Sequence, residues 1–95
     1  MKIMTDSTLF REKAFINNEW LDADNGQYFA VKNPATGEII AHVSDCGAAE
    51  TRRAIAAAQK AFESWSRTTA AERADKLRKL AAAIEKNKEE LAVLL

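Results

Sequence analysis

Apolar and polar positions change their period once along this chain, near Gly47. Before it, apolar residues come in short runs that alternate with polar ones, the two-residue period of strands. Phe15-Ile16 and Glu19-Trp20-Leu21 flank Asn17-Asn18, and asparagine tolerates the positive φ of a two-residue hairpin turn better than most residues. This predicts a tight β-hairpin. Tyr28 to Lys32 and Glu38 to Val43 are strand-like runs around Asn33-Pro34-Ala35-Thr36-Gly37, where Pro34 presets its own φ and Gly37 can turn left-handed. This predicts a second hairpin with a longer loop. Asp22 to Gln27 reads as a turn-rich loop between the two. Upstream, Ser7 to Ala14 predicts a short helix, with Asp6 or Ser7 accepting hydrogen bonds from its first free N–H groups.

After Gly47 the period is about 3.6. Ile55, Ala58, Phe62 and Trp65 fall three and four apart, widened by Ala54 and Ala61, while Arg52, Arg53, Gln59, Lys60 and Glu63 occupy the other side. One helix is predicted from about Ala48 to Trp65, with Gly47 as N-cap and Glu50 three residues on, although glycine lacks the side-chain oxygen of a full capping box. Thr69-Ala70-Ala71-Glu72 is a full box and opens a second stripe of Ala74, Leu77, Leu80, Ala81 and Ile84. A short turn around Ser66-Arg67-Thr68 joins the two helices. Asn87-Lys88-Glu89-Glu90 reads as a third box, and the stripe after it is still building at Leu95 with no Gly, Asn or Pro to end it. The pattern thus predicts an α+β segment of a longer protein: two short β-hairpins over residues 15–43, then over residues 47–95 a helical hairpin and the start of a third helix. Trp20 and Trp65 are expected in the core. A single layer of this kind cannot cover its alanine-rich faces and strand aromatics, so the isolated chain is expected to self-associate.

Composition narrows the partners. Of 95 residues, 47% are hydrophobic, as in an ordinary globular protein, and fourteen basic side chains balance fourteen acidic ones. No net field favours nucleic acid or an anionic membrane. The single Cys46 excludes an internal disulfide and fits a reducing, cytoplasmic compartment. The N-terminus has no apolar core of signal-peptide length, and no run approaches the roughly 20 apolar residues of a membrane span.

Candidate chemistry is sparse. Cys46 precedes a predicted helix N-terminus, where the dipole can lower a thiol pKa, but the one histidine, His42, has no reason to be near it, so an inert thiol is the stronger reading. His42 alternates with apolar neighbours and points off its hairpin, without a second ligand at metal-site spacing. Asp22, Asp24 and Gly26 resemble the start of a calcium loop whose remaining ligands are absent, so they read as a turn. Gly26, Gly37 and Gly47 stand singly and make no phosphate loop. Arg67, Arg73, Lys76, Arg78 and Lys79 gather positive charge, yet Glu72, Asp75 and Glu85 interrupt it, which favours a solvated helix face over a nucleic-acid reader.

The order and spacing of Phe15-Ile16-Asn17-Asn18-Glu19-Trp20, Asn33-Pro34-Ala35-Thr36-Gly37-Glu38-Ile39-Ile40-Ala41-His42-Val43, Ala54 to Trp65 and Thr69-Ala70-Ala71-Glu72-Arg73 resemble the N-terminus of the NAD(P)-dependent aldehyde dehydrogenase superfamily. Leu9-Phe10-Arg11, Trp20-Leu21-Asp22-Ala23 and Asn25-Gly26 are most similar to its succinate-semialdehyde dehydrogenase branch. Asn18 departs from the glycine common there, but asparagine also adopts the left-handed conformation. The resemblance implies a parent oxidoreductase with an α/β fold and NAD or NADP as cofactor. In that chemistry a cysteine thiolate attacks the aldehyde, hydride passes to the nicotinamide, and a glutamate activates water to hydrolyse the thioester. It also implies that the nucleophile, the glutamate, the oxyanion donors and the phosphate- and ribose-binding residues all follow position 95. For residues 1–95 the expectation is therefore an N-terminal piece of the cofactor-binding domain with no catalytic, cofactor-binding or metal-binding residue of its own. The remainder of the parent enzyme is its expected partner, and nucleic acid and membrane are not. A free-standing helical interaction module is the alternative, and it would be expected to cover its apolar stripe.

Overall fold

A computed structural model of the chain describes residues 7–95; Asp6, one candidate cap for the first helix, lies outside the described residues. The chain divides into two compact units, one formed by Glu12–Ser64 and the other by the segment up to Arg11 with Trp65–Leu95.

In the first unit, β1 (Ala14–Ile16) and β2 (Glu19–Leu21) pair antiparallel, with Phe15 opposite Trp20 and Ile16 opposite Glu19. Asn17 and Asn18 take φ of 51° and 64°. Two left-handed residues in succession make the hairpin turn whose twist matches its strands. Across the hairpin, the rings of Phe15 and Trp20 sit 4.9 Å apart, inclined by 55°, a tilted cross-strand aromatic pair.

The second hairpin pairs β3 (Tyr28–Lys32) with β4 (Ile39–Ser44), Phe29 opposite Val43, and its register shifts between Val31 and Lys32. Asn33 closes its loop from both sides. Its N–H donates to the Glu38 carbonyl at 2.8 Å, its carbonyl accepts from Gly37 N–H at 2.7 Å, and its Oδ1 accepts from Ala35 N–H at 2.9 Å. Gly37, at φ 76°, takes the left-handed step expected of it.

Glu12 ties the strands together. Its carbonyl accepts from Ser44 N–H at 3.0 Å and its carboxylate from His42 N–H at 3.1 Å, while Ser44 Oγ donates to the Leu21 carbonyl at 3.4 Å. The carboxylate and the carbonyl of Glu12 thus occupy an edge of β4 that would otherwise present free donors. α1 (Ala48–Trp65) begins where Thr51 N–H reaches the Gly47 carbonyl at 3.1 Å, and Thr51 Oγ1 donates to the same oxygen at 2.9 Å.

In the second unit, α2 (Ala70–Lys86) carries the expected capping box: Glu72 N–H donates to Thr69 Oγ1 at 3.1 Å and Thr69 N–H to the Glu72 carboxylate at 2.8 Å. α3 (Lys88–Leu94) follows, but the third capping box is not formed. Asn87 instead turns its amide back, Nδ2 donating to the Ala83 carbonyl at 2.8 Å, so its side chain closes α2 and does not open α3.

The short helix expected over Ser7 to Ala14 is also absent. Ser7 heads a single turn, its carbonyl accepting from Phe10 N–H at 3.2 Å and its hydroxyl oxygen from Leu9 N–H at 3.1 Å. Pairing of Ala14 in β1 leaves too few residues to pass the costly helix nucleus. The Ser7 hydroxyl also donates to the Glu90 carboxylate at 2.9 Å, fastening this turn to α3.

Ala23 and Ala41 are the buried apolar side chains among the described residues. Trp20 and Trp65, expected in the core, are 47% and 42% exposed, and Ile55, Phe62, Leu77, Leu80 and Ile84 also present more than half their surface. Two-stranded hairpins and alanine-rich helices offer too little facing surface to enclose side chains of that size.

Candidate functional site

A cluster of polar contacts in the first unit lies where the Asp22 to Gln27 loop meets the start of α1. Buried Ala23 anchors this loop, and its carbonyl accepts from Gly26 N–H at 2.9 Å. Asn25 Oδ1 accepts from Gln27 N–H at 2.9 Å, and the Gln27 carbonyl accepts from Asp45 N–H at 2.9 Å. From α1, Arg53 grips Asp24 through two nitrogens at 2.7 Å each, the forked geometry guanidinium and carboxylate share. Glu50, 6% exposed, accepts from Asp24 N–H at 3.2 Å. The loop is therefore held to α1 by one ion pair and one charge-assisted hydrogen bond.

These contacts set the local titration. The Arg53 hydrogen bond holds the Asp24 carboxyl below its ordinary value, and Arg53 is correspondingly raised. The Tyr28 hydroxyl donates to the Asp22 carboxylate, which pushes the phenol up. Cys46 lines a cavity of about 380 Å³ with Asp24, Asn25, Asp45 and Glu50. Partial burial raises its thiol pKa first, and the Glu50, Asp24 and Asp45 carboxylates raise it further, against a smaller opposing effect of Arg53. Burial and these carboxylates thus oppose the pull of the helix N-terminus beside Cys46.

A second cavity, also about 380 Å³, is lined by Ile16, Glu19 and Leu21 of the first hairpin and by Arg53, Ala57 and Lys60 of α1. Asp22, Asp24 and Gly26 form a turn, as the missing calcium ligands require. His42 is exposed, and its backbone N–H, not its ring, carries the Glu12 contact. Among the described residues no group of three or more His, Cys, Asp or Glu is arranged to hold a metal, and no helix is long and apolar enough to cross a membrane. In the basic stretch, Arg73 donates to the carbonyl of Thr68 and to its hydroxyl, the latter at 3.2 Å, and Lys79 pairs with Asp75 one turn away at 3.2 Å. Sequence reasoning missed the contacts of Glu50 and Glu12, because a carboxylate reaching across 26 or 30 residues leaves no periodic signal.

The sequence profile of the aldehyde dehydrogenase family matches residues 20–95. Glutarate-semialdehyde dehydrogenase of Pseudomonas putida is 53% identical over 92 residues, covering 97% of this chain and 19% of the relative. The crystal structure of succinate-semialdehyde dehydrogenase from Burkholderia pseudomallei superposes with a TM-score of 0.87 at 46% identity, over 95% of this chain and 19% of the other. Betaine aldehyde dehydrogenase from Staphylococcus aureus, solved in complex with NAD+, superposes at 0.86 with 34% identity over 96% of this chain and 18% of the other. The chain spans about a fifth of the length of such relatives. With the family profile over residues 20–95, and identity and backbone over nearly every residue, in agreement, the chain belongs to the aldehyde dehydrogenase family.

Proposed function

We propose that these residues form the N-terminal scaffold of an NAD(P)-dependent, cytoplasmic aldehyde dehydrogenase that oxidises a short semialdehyde carboxylate, succinate semialdehyde to succinate in the first instance, and that they take no part in the chemistry. Identity of 53% over 97% of the chain to a glutarate-semialdehyde dehydrogenase and of 46% over 95% to a succinate-semialdehyde dehydrogenase supports the substrate class, with glutarate semialdehyde as the other substrate. The suppressed Cys46 thiol supports a nucleophile elsewhere in the parent. The exposed stripes of α1 and α2 support a partner that covers them, the remainder of the same polypeptide. The expected arrangement is a cofactor pocket and catalytic cysteine contributed by that remainder, with this segment bracing them.

The test is nicotinamide reduction by the polypeptide of the relatives' length that carries these residues. Succinate or glutarate semialdehyde should drive it with NAD+ or NADP+, and Cys46→Ser should leave kcat within about twofold, well under the barrier change of roughly 1.4 kcal/mol that a tenfold effect represents. No reduction with either aldehyde would refute the substrate class. Loss of activity in Cys46→Ser would refute the scaffold role.

A further inference from the structure

The chain has five asparagines, at positions 17, 18, 25, 33 and 87, and Asn25 alone is followed by glycine. Both residues of Asn25-Gly26 are exposed. Gly26 has φ 69°, and no atom lies within 4 Å of where a Cβ would project, so the backbone has room to rearrange. The Asn25 carboxamide is turned toward the main chain that follows it, its Oδ1 accepting from Gln27 N–H at 2.9 Å. That hydrogen bond draws electron density from Cγ and makes the carbon a better electrophile. The other asparagines are less suited. Asn33 precedes Pro34, which has no N–H to give up. Asn87 commits Nδ2 to the Ala83 carbonyl. Asn17 and Asn18 form the hairpin turn and are followed by residues with side chains that crowd the nitrogen.

We infer that Asn25-Gly26 is a modification site, at which the chain deamidates without an enzyme through a cyclic imide. The Gly26 backbone nitrogen loses its proton to base and releases its 2.9 Å hydrogen bond to the Ala23 carbonyl. It then attacks Asn25 Cγ; the new N–Cγ bond forms as the Cγ–Nδ2 bond breaks, and Nδ2 leaves with added protons as ammonia. Water opens the imide at either carbonyl, giving aspartate or an isoaspartyl link whose main chain is one methylene longer. The sum is asparagine plus water going to aspartate or isoaspartate plus ammonia, with no oxidant or reductant. The new carboxylate arises on the cavity that Asp24, Asp45 and Glu50 already line, with Arg53 the cation bound to Asp24. Like charge accumulates where the loop is fastened to α1.

Incubation of the 95-residue chain in mildly alkaline buffer, followed by peptide mass spectrometry and isoaspartyl methyltransferase labelling, reads the site directly. Asn25 should convert at least about tenfold faster than Asn17, Asn18 or Asn87, and Gly26→Ala should slow it by a similar factor, since a side chain on the attacking residue hinders closure. Comparison between sites in the unsubstituted chain does not depend on how the variant folds. Equal conversion at the four asparagines, or an unmodified Asn25 where the others react, would overturn the inference.

Discussion

Asp24 is the residue at which loop, helix and solvent proton meet. Arg53 holds its carboxyl below the ordinary value of 3.8, so on acidification the unfolded chain takes up the proton before the folded one does. The pair therefore stabilises the fold above that ordinary value, and its contribution is lost as pH falls through the lower, folded value. Urea midpoints measured as pH is lowered across this range should decline, and Asp24→Asn should flatten the decline; an unchanged slope would show that the ion pair contributes nothing to the folded state. Cys46 shows the limit of reading single residues. Its place before a helix N-terminus is visible in the sequence and suggests a lowered pKa, and so are its neighbours Asp45 and Glu50, whereas the burial that raises it most and the Asp24 carboxylate brought up from the preceding loop are not.

At the scale of elements, legibility follows the range of the forces. Turn chemistry and side-chain period are local, so both hairpins and the limits of α1 could be read from Asn17-Asn18, Gly37 and the stripe ending at Trp65. The Thr69 capping box was legible for the same reason. Asn87 was misread because an asparagine amide can satisfy a carbonyl behind it as readily as an N–H ahead, and the sequence does not say which. The helix over Ser7 to Ala14 failed because Ala14 is recruited by Leu21, seven residues downstream. The first turn also supplies a measurable consequence. Asn18 holds φ 64°, a conformation that costs a residue with an ordinary Cβ about 1–2 kcal/mol. Asn18→Ala should lower stability by roughly 1 kcal/mol, and Asn18→Gly should not, as read from thermal unfolding. Equal effects of the two would contradict the left-handed turn.

At the scale of the whole chain, burial is what the sequence could not supply. The stripes of α1 and α2 were found by period alone, but period says which side chains share a face and not what covers it. Here Ile55, Phe62, Leu77 and Leu80 remain more than half exposed. In dilute solution the chain should accordingly sediment as species heavier than one copy, and substituting Phe62 and Leu80 by polar residues should shift it toward the monomer; a unique monomer of the unsubstituted chain would contradict this. Family membership rests on local patterns repeated over nearly the full length, whereas the candidate site depends on contacts between distant segments and emerges only from the structure. The direct test of a scaffold without chemistry is to supply the purified 95-residue chain with succinate semialdehyde and either nicotinamide cofactor and follow formation of the reduced cofactor. No aldehyde-dependent signal above the uncatalysed rate is expected; sustained turnover by this chain alone would contradict the assignment.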